Sequence, residues 1–244
     1  MEDIDELIES AAKSQDFDEH FPFIRSLLGQ AIQLNPASGG KSAIGGAPRL
    51  PANFDWPEHA RGHQTCIAQL DCSELPTTTR LPSTGLLTFF AAHDPDGDSW
   101  FWEEEFMQIH YFMDLSVEES PTATLPMFPR RPVSFDLKYS LPFNPYLRDD
   151  WPWDDDDHDA FEYGVSEELG DIVVRTSGDF LLGHAPGSRI AGNPCPGDDW
   201  ELLLLLRTDD DLEMIWGDDS ALMVFVESEA LAQLDFSNPK CLIA

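Results

Sequence analysis

Positive charge is the scarcest property of this sequence. Lysine and arginine together number 14, against 46 aspartates and glutamates, and the formal charge is −32 at pH 7. Nucleic-acid backbones and anionic lipid surfaces repel such a field, so no binding to nucleic acid or membrane is expected. Long apolar runs are missing too. The longest, Leu202 to Leu206, falls far short of the roughly 20 residues of a membrane span and fits a buried strand. Met1 to Glu9 is acidic and lacks the basic start and apolar stretch of a secretory signal. Cysteine is sparse: Cys66, Cys72, Cys195 and Cys241 form no Cys-x-x-Cys pair. That usage fits free thiols in a reducing cytoplasm.

Apolar and aromatic residues are plentiful. A hydrophobic fraction of 42% with 16 Phe, 7 Trp and 4 Tyr excludes a disordered chain, because so much apolar surface can offset the ordering entropy. A chain of 244 residues can bury a sizeable core, as one large domain or two fused smaller ones. The acidity itself has two readings. One is solubility or adaptation to a salty cytoplasm. The other is electrostatic attraction of a cationic protein, which speeds encounter.

Residues 2–14 read as an amphipathic helix, with Ile4, Leu7, Ile8 and Ala11 at helical spacing. A second helix is expected over 19–34, with Pro22 in its first turn and Phe23, Leu27, Leu28, Ala31 and Leu34 as its stripe. A glycine-rich stretch, 38–51, follows. Strands are then expected at 66–71, 85–92 and 107–113, with a single helical turn at 73–76. The six prolines between 114 and 148 predict a connecting segment with short edge strands. Residues 149–159 carry seven acids and read as a solvated loop, followed by a helix over 161–169. Strands at 180–184, 200–207 and 221–226 complete the pattern. Leu212 to Trp216 is expected to form a hairpin with the preceding strand. Ser228 is expected to cap a helix through Leu234. Asp71-Cys72-Ser73-Glu74-Leu75 echoes Val226-Glu227-Ser228-Glu229-Ala230, each closing a strand.

Several groups of residues deserve a chemical test. Gly45-Gly46 could cradle a phosphate, but Pro48 and Pro51 follow and no helix begins there, so a structural turn is expected. Asp94, Asp96, Asp98 and Glu105 match positions 1, 3, 5 and 12 of a calcium loop, yet Ser99 stands where glycine is usual. A hairpin turn with solvated acids is the plainer reading, and a weak cation site is the alternative. His59 and His63 have zinc-helix spacing, but Gly62 interrupts them. No Gly-x-Ser-x-Gly elbow occurs. No cofactor is expected, and catalysis is not favoured.

Further residues do resemble a family. Lys41-Ser42-Ala43-Ile44-Gly45-Gly46-Ala47-Pro48-Arg49-Leu50-Pro51, then Trp56-Pro57, Ile67-Ala68-Gln69-Leu70-Asp71, Gly85 to Phe90, Leu181 to His184, Trp200 to Leu205 and Ile215 to Asp218 are similar in order and spacing to the YwqG-like family, a bacterial domain of unknown function. The resemblance covers roughly residues 20–240. It implies an α+β, strand-rich fold with N-terminal helices (1–36) and one compact unit (37–244) of two similar β-rich sub-halves, about 37–148 and 160–244. It carries no established enzymatic activity. Some members stand beside secreted bacterial toxins, which implies an immunity role. His184 departs from the aromatic residue usual after Gly183.

Two functions are therefore expected. The first is a cytoplasmic protein that binds a basic partner on Trp151, Trp153, Asp154, Asp155, Asp156 and Asp157, with carboxylates steering and aromatics burying. The second is a small-molecule-binding protein or enzyme with a cleft between the sub-halves, near Gly45, Gly46, Trp56, His184, Trp216 and Asp218. Nothing in the sequence specifies an oligomeric state.

Overall fold

A computed structural model describes residues 4–77, 80–92, 105–113, 118–119, 127–174, 177–187, 192–217 and 220–243; of residues 118, 119, 155 and 156 it describes the backbone only. The chain opens with α1 (Ile4–Ser14), whose buried Ile8, Ala11 and Ala12 form one stripe and whose first turn holds Asp5 and Glu6. Helix α2 (Phe21–Ser26) starts on Pro22 and is tied to α1 by an ion pair between Arg25 and Asp5.

The expected second helix stops there. Gly29–Pro36 is strand β1, not helix. It lies in the middle of a ten-stranded sheet, flanked on both sides, so Ile32 faces Leu137 on one neighbour and Leu181 on the other. An apolar run with only Gly29 and Asn35-Pro36 as boundaries fits either period, and pairing on both edges decides for strand. The sheet thus reaches back across the boundary expected at residue 36.

The remaining strands follow in chain order: β2 (Ala43–Ile44), β3 (Arg49–Leu50), β4 (Glu58–His59), β5 (Gly62–His63), β6 (Thr65–Asp71), β7 (Leu86–Ala91), β8 (Met107–Phe112), β9 (Glu118–Glu119), β10 (Arg131–Ser140), β11 (Asp179–Leu182), β12 (Trp200–Arg207), β13 (Ala221–Glu227) and β14 (Lys240–Ile243). The large sheet has the order β14-β13-β12-β11-β1-β10-β2-β6-β7-β8, with every named pair antiparallel. β3 with β9 and β4 with β5 form two-stranded ladders.

β10 corrects a second expectation. The proline-rich segment contains a ten-residue strand inside the sheet, not short edge strands. Pro132 is tolerated because it stands at the end of the ladder with β1, where its carbonyl accepts the Ala37 N–H at 2.9 Å. A third correction concerns Leu212 to Trp216. Asp209 and Met214 form one isolated bridge, Glu213 turns left-handed at φ 55°, and β12 pairs with β13 instead. In the last helix, α5 (Ser228–Ala232), the N-cap position falls on Glu227, not Ser228, and its side chain makes no capping hydrogen bond.

Both faces of the sheet are packed. Ile67, Phe89 and Ile109 from one end share a single cluster with Leu204, Val224 and Cys241 from the other, so the sheet curls until its inner face nearly closes on itself. Its two edges do not pair, although Tyr111 and Phe236 bring ring centroids to 6.2 Å across the gap. Five consecutive leucines follow from this double burial. A bulge between Leu202 and Leu204 turns Leu203, Leu204 and Leu206 inward, while Leu202 and Leu205 pack outward beneath Phe180 and Phe225. Each such side chain contributes roughly 1.5–3 kcal/mol by leaving water. A third layer, of α1, α2 and residues 141–173, covers the end of the sheet beside β1 and β10.

Candidate functional site

Residues 149–159 are not a free loop. Asp154 accepts the Asp157 N–H at 3.2 Å and starts α3 (Asp155–Asp159). The run continues through a π turn, 160–165, into α4 (Ser166–Leu169). His158, Phe161, Val165 and Leu169 are buried on one side at spacings of three, four and four, which leaves the acids on the other. His158 holds the segment down: Nε2 donates to the Phe143 carbonyl at 2.8 Å and Nδ1 accepts the Trp153 indole N–H at 3.1 Å.

Trp151 and Trp153 are half-buried in the same cluster. Phe161 lies 5.6 and 4.9 Å from them, and the Trp153 ring also meets Phe17 at 4.9 Å edge-on. Arg148 stacks over Phe23 and grips Asp150 with two hydrogen bonds. The tryptophans thus pin the acidic segment to the core. The exposed aromatics of this region are Tyr146 and Tyr163. Residues 4–28 carry six acids against Lys13 and Arg25, and residues 141–174 carry eleven against Arg148. Seventeen acids against three bases in about a quarter of the chain make this cap the negative pole of the molecule.

Between the cap and the sheet lies a cleft of about 340 Å³, lined by Glu162, Tyr163, Ser166, Ser177, His184 and Arg207 over an apolar floor of Leu141, Val173 and Val174. Burial raises the Glu162 carboxyl above its ordinary value, Asp159 adds to that, and His158 opposes it. Neither a hydrogen bond nor an ion pair from a described residue reaches it. His184 forms the wall between this cleft and a second one of about 510 Å³, which Gln30, Arg80, Asn193, Trp200 and Glu201 line. Its Nε2 donates to the Leu27 carbonyl at 2.9 Å, and its backbone N–H donates to Ser140 Oγ at 2.9 Å. Burial pushes its imidazole below the ordinary value of 6.5. Leu182 at φ 60° and Gly183 at φ 85° shape this crossing, where a Cβ on Gly183 would stand 2.8 Å from Ser140.

The other residues singled out from sequence lie elsewhere. Gly45 and Gly46 spend their N–H groups on the Ile67 and Phe128 carbonyls, so they form a structural turn and no phosphate cradle. A network stands beside them. Asp71, almost fully buried, has Lys41 Nζ and Arg49 Nη2 each at 3.5 Å, and Glu74 accepts the N–H groups of Lys41 and Ser42 at 3.0 and 2.9 Å. Burial would raise the Asp71 carboxyl, but hydrogen bonds from Ser73 and the charge of Lys41 hold it below its usual range. Trp56 packs on Phe90 and donates to the Gln64 carbonyl. Trp216 is inside the curled sheet. Gly45, Gly46, Trp56, His184 and Trp216 therefore pack among different neighbours, and of these five His184 lines the two clefts described above. Asp218, and Asp94, Asp96 and Asp98, fall outside the described residues, as do the side chains of Asp155 and Asp156; Glu105 is exposed, with φ 60°.

Among the described residues, no group of three or more His, Cys, Asp or Glu side chains is arranged to hold a metal. His59 and His63 sit on the β4–β5 ladder, not a helix. All four cysteines are free. Burial pushes Cys66 and Cys72 up to about 12 and Cys195 to about 11, so none of these three is a thiolate near neutral pH. No helix among the described residues is long and apolar enough to cross a membrane.

Sequence reasoning did not find Glu162, Tyr163, Ser140 or Arg207. The one available signal was the helical stripe that continues from His158 to Leu169.

Fold and surface together define a class: a curled antiparallel sheet carrying an acidic helical cap. The chain belongs to the family described as a domain of unknown function, DUF1963, whose model matches residues 42–243. The match begins after α1, α2 and β1, so the first part of the cap and the central strand precede it. No curated protein matches the chain.

Proposed function

We propose that this chain is a YwqG-like cytoplasmic binding protein that docks a basic protein on its acidic cap and neutralises it, in the manner of an immunity protein. The observation that carries this reading is the placement of seventeen acids against three bases on one layer that shares a packed apolar cluster. The buried stripe of α3 to α4 anchors the backbone that carries part of this charge, which lowers the entropy lost on docking. Carboxylates steer the encounter, and the exposed rings of Tyr146 and Tyr163 supply area to bury. The paired units β6–β7 and β13–β14, each joined through a helical turn, are read as two related halves that form the platform.

The test uses a basic protein captured by the tagged chain at low ionic strength and then purified. Asp149→Asn, Glu167→Gln and Glu168→Gln together remove exposed cap charges, while Asp198→Asn, Glu227→Gln and Glu229→Gln remove exposed charges elsewhere. The cap variant is expected to lose affinity by about tenfold or more, mostly in the association rate. Added salt is expected to weaken the wild-type complex in parallel. Equal losses from both sets, affinity indifferent to salt, or no capture at all would sink the reading.

A further inference from the structure

We propose that the cleft beneath Glu162 is a receptor for one cationic side chain, a guanidinium or ammonium group presented by the docking partner. The inference rests on the reading of the cap as a docking face and names the point where specificity would lie.

Charge and shape carry it together. Of the charged groups among the described residues that line the cleft, Arg207 is already engaged: its charge acts on Asp179, whose carboxylate also accepts the Arg207 backbone N–H at 2.7 Å. His184 spends Nε2 on the Leu27 carbonyl. Glu162 is left, half-buried between His158 and Asp159, with no hydrogen bond or ion pair from a described residue. A carboxylate that has lost water without gaining a partner costs free energy, and an incoming cation returns it. The floor of Leu141, Val173 and Val174 suits the aliphatic stem of arginine or lysine, which buries its methylenes while its head stays polar. The exposed ring of Tyr163 stands at the rim, where an arginine plane can stack. The volume, about 340 Å³, lies at the small end of the roughly 300–1,000 Å³ range of ligand sites. It suits a side chain better than a large cofactor.

The probe is N-acetyl-arginine amide, with its uncharged citrulline counterpart as the comparison, titrated by NMR into the full chain. Saturable shifts of residues lining the cleft are expected with the arginine probe. Binding is expected to weaken about tenfold or more with the citrulline probe, and likewise in Glu162→Gln. Glu227→Gln, exposed and outside the cap, is expected to bind the arginine probe as wild type does. Circular dichroism checks that Glu162→Gln, a near-isosteric change, keeps the fold. No saturable binding, equal binding of both probes, or an unaffected Glu162→Gln overturns the proposal. If Glu162→Gln leaves the protein complex unchanged while the cap variant still weakens it, the cleft fails alone and the docking face stands. If neither weakens that complex, both fall.

Discussion

At Gly45 the backbone runs at φ +65°, and a Cβ would stand 2.2 Å from the Pro129 carbonyl oxygen. At Gly46 it would meet the Arg130 side chain at 2.7 Å. A side chain at Gly45 therefore forces the chain off Pro129 and strains a left-handed residue as well. Gly45→Ala is expected to cost about 1–3 kcal/mol, read as a lower urea midpoint at unchanged slope. Gly62, also left-handed but with open space around it, serves as the control. That the pair makes a turn was legible from the prolines behind it. That it exists to let Phe128 to Arg130 lie against it was not, because those residues are more than 80 positions away. Asp71 repeats the pattern: the sequence shows a strand ending in an acid, while the cations around it, Lys41 and Arg49, come from the loop ahead.

Among the elements, the helical run from α3 to α4 is held by Phe161, which is fully buried and in ring contact with Phe17, Phe143, Trp151, Trp153 and His158. Phe161→Ala is expected to cost about 3–5 kcal/mol. The loss falls on the cap, since its cluster is separate from the one inside the sheet. Hydrogen exchange is expected to quicken in 155–169 and α1, with β1 and β12 keeping their protection. Equal acceleration in the strands would show that cap and sheet open together. The helix at 161–169 was legible, but the acids at 149–159 hid α3 from the sequence, because like charges read as a loop until something is seen to bury the other side. His158 is that something: it takes the indole N–H of Trp153, five residues back, and reaches the Phe143 carbonyl, fifteen residues back. β1 was misread for a related reason: its strand character lies in two partners, β10 and β11, that come a hundred and more residues later.

Over the whole molecule, protons link charge to stability. Burial depresses His184 and His110 below 6.5. The unfolded chain takes up these protons first, so stability from keeping both rings neutral is complete above about 6.5 and drains away as pH falls below it. Arg148 pushes His184 the same way, and Glu201 opposes it. Burial of Glu162 and Asp179 raises both carboxyls, which acts in the opposite sense and is lost as pH rises through their folded values. A variant isolates the imidazole part. His184→Gln keeps a donor for the Leu27 carbonyl and cannot titrate. Between pH 7 and 5.5 its thermal midpoint is expected to fall less than that of the wild type. Parallel curves would mean that His184 takes up protons equally well folded and unfolded.

The sequence by itself determined that the chain is acidic, rich in strand and supplied with enough apolar surface for a large core, because composition and short-range periodicity depend on neighbours a few residues apart. It also determined most individual strands, from 65–71 to 221–227. Only the tertiary structure decided which strands lie side by side, that 29–36 is central, and that the acidic segment winds into a helix over buried rings. Those outcomes rest on hydrogen bonds and packing between residues far apart in the chain, and local pattern does not encode such partners. The cleft at Glu162 is of that second kind, since its walls come from residues 140 to 207 and meet only when the sheet has curled and the cap has closed over its end.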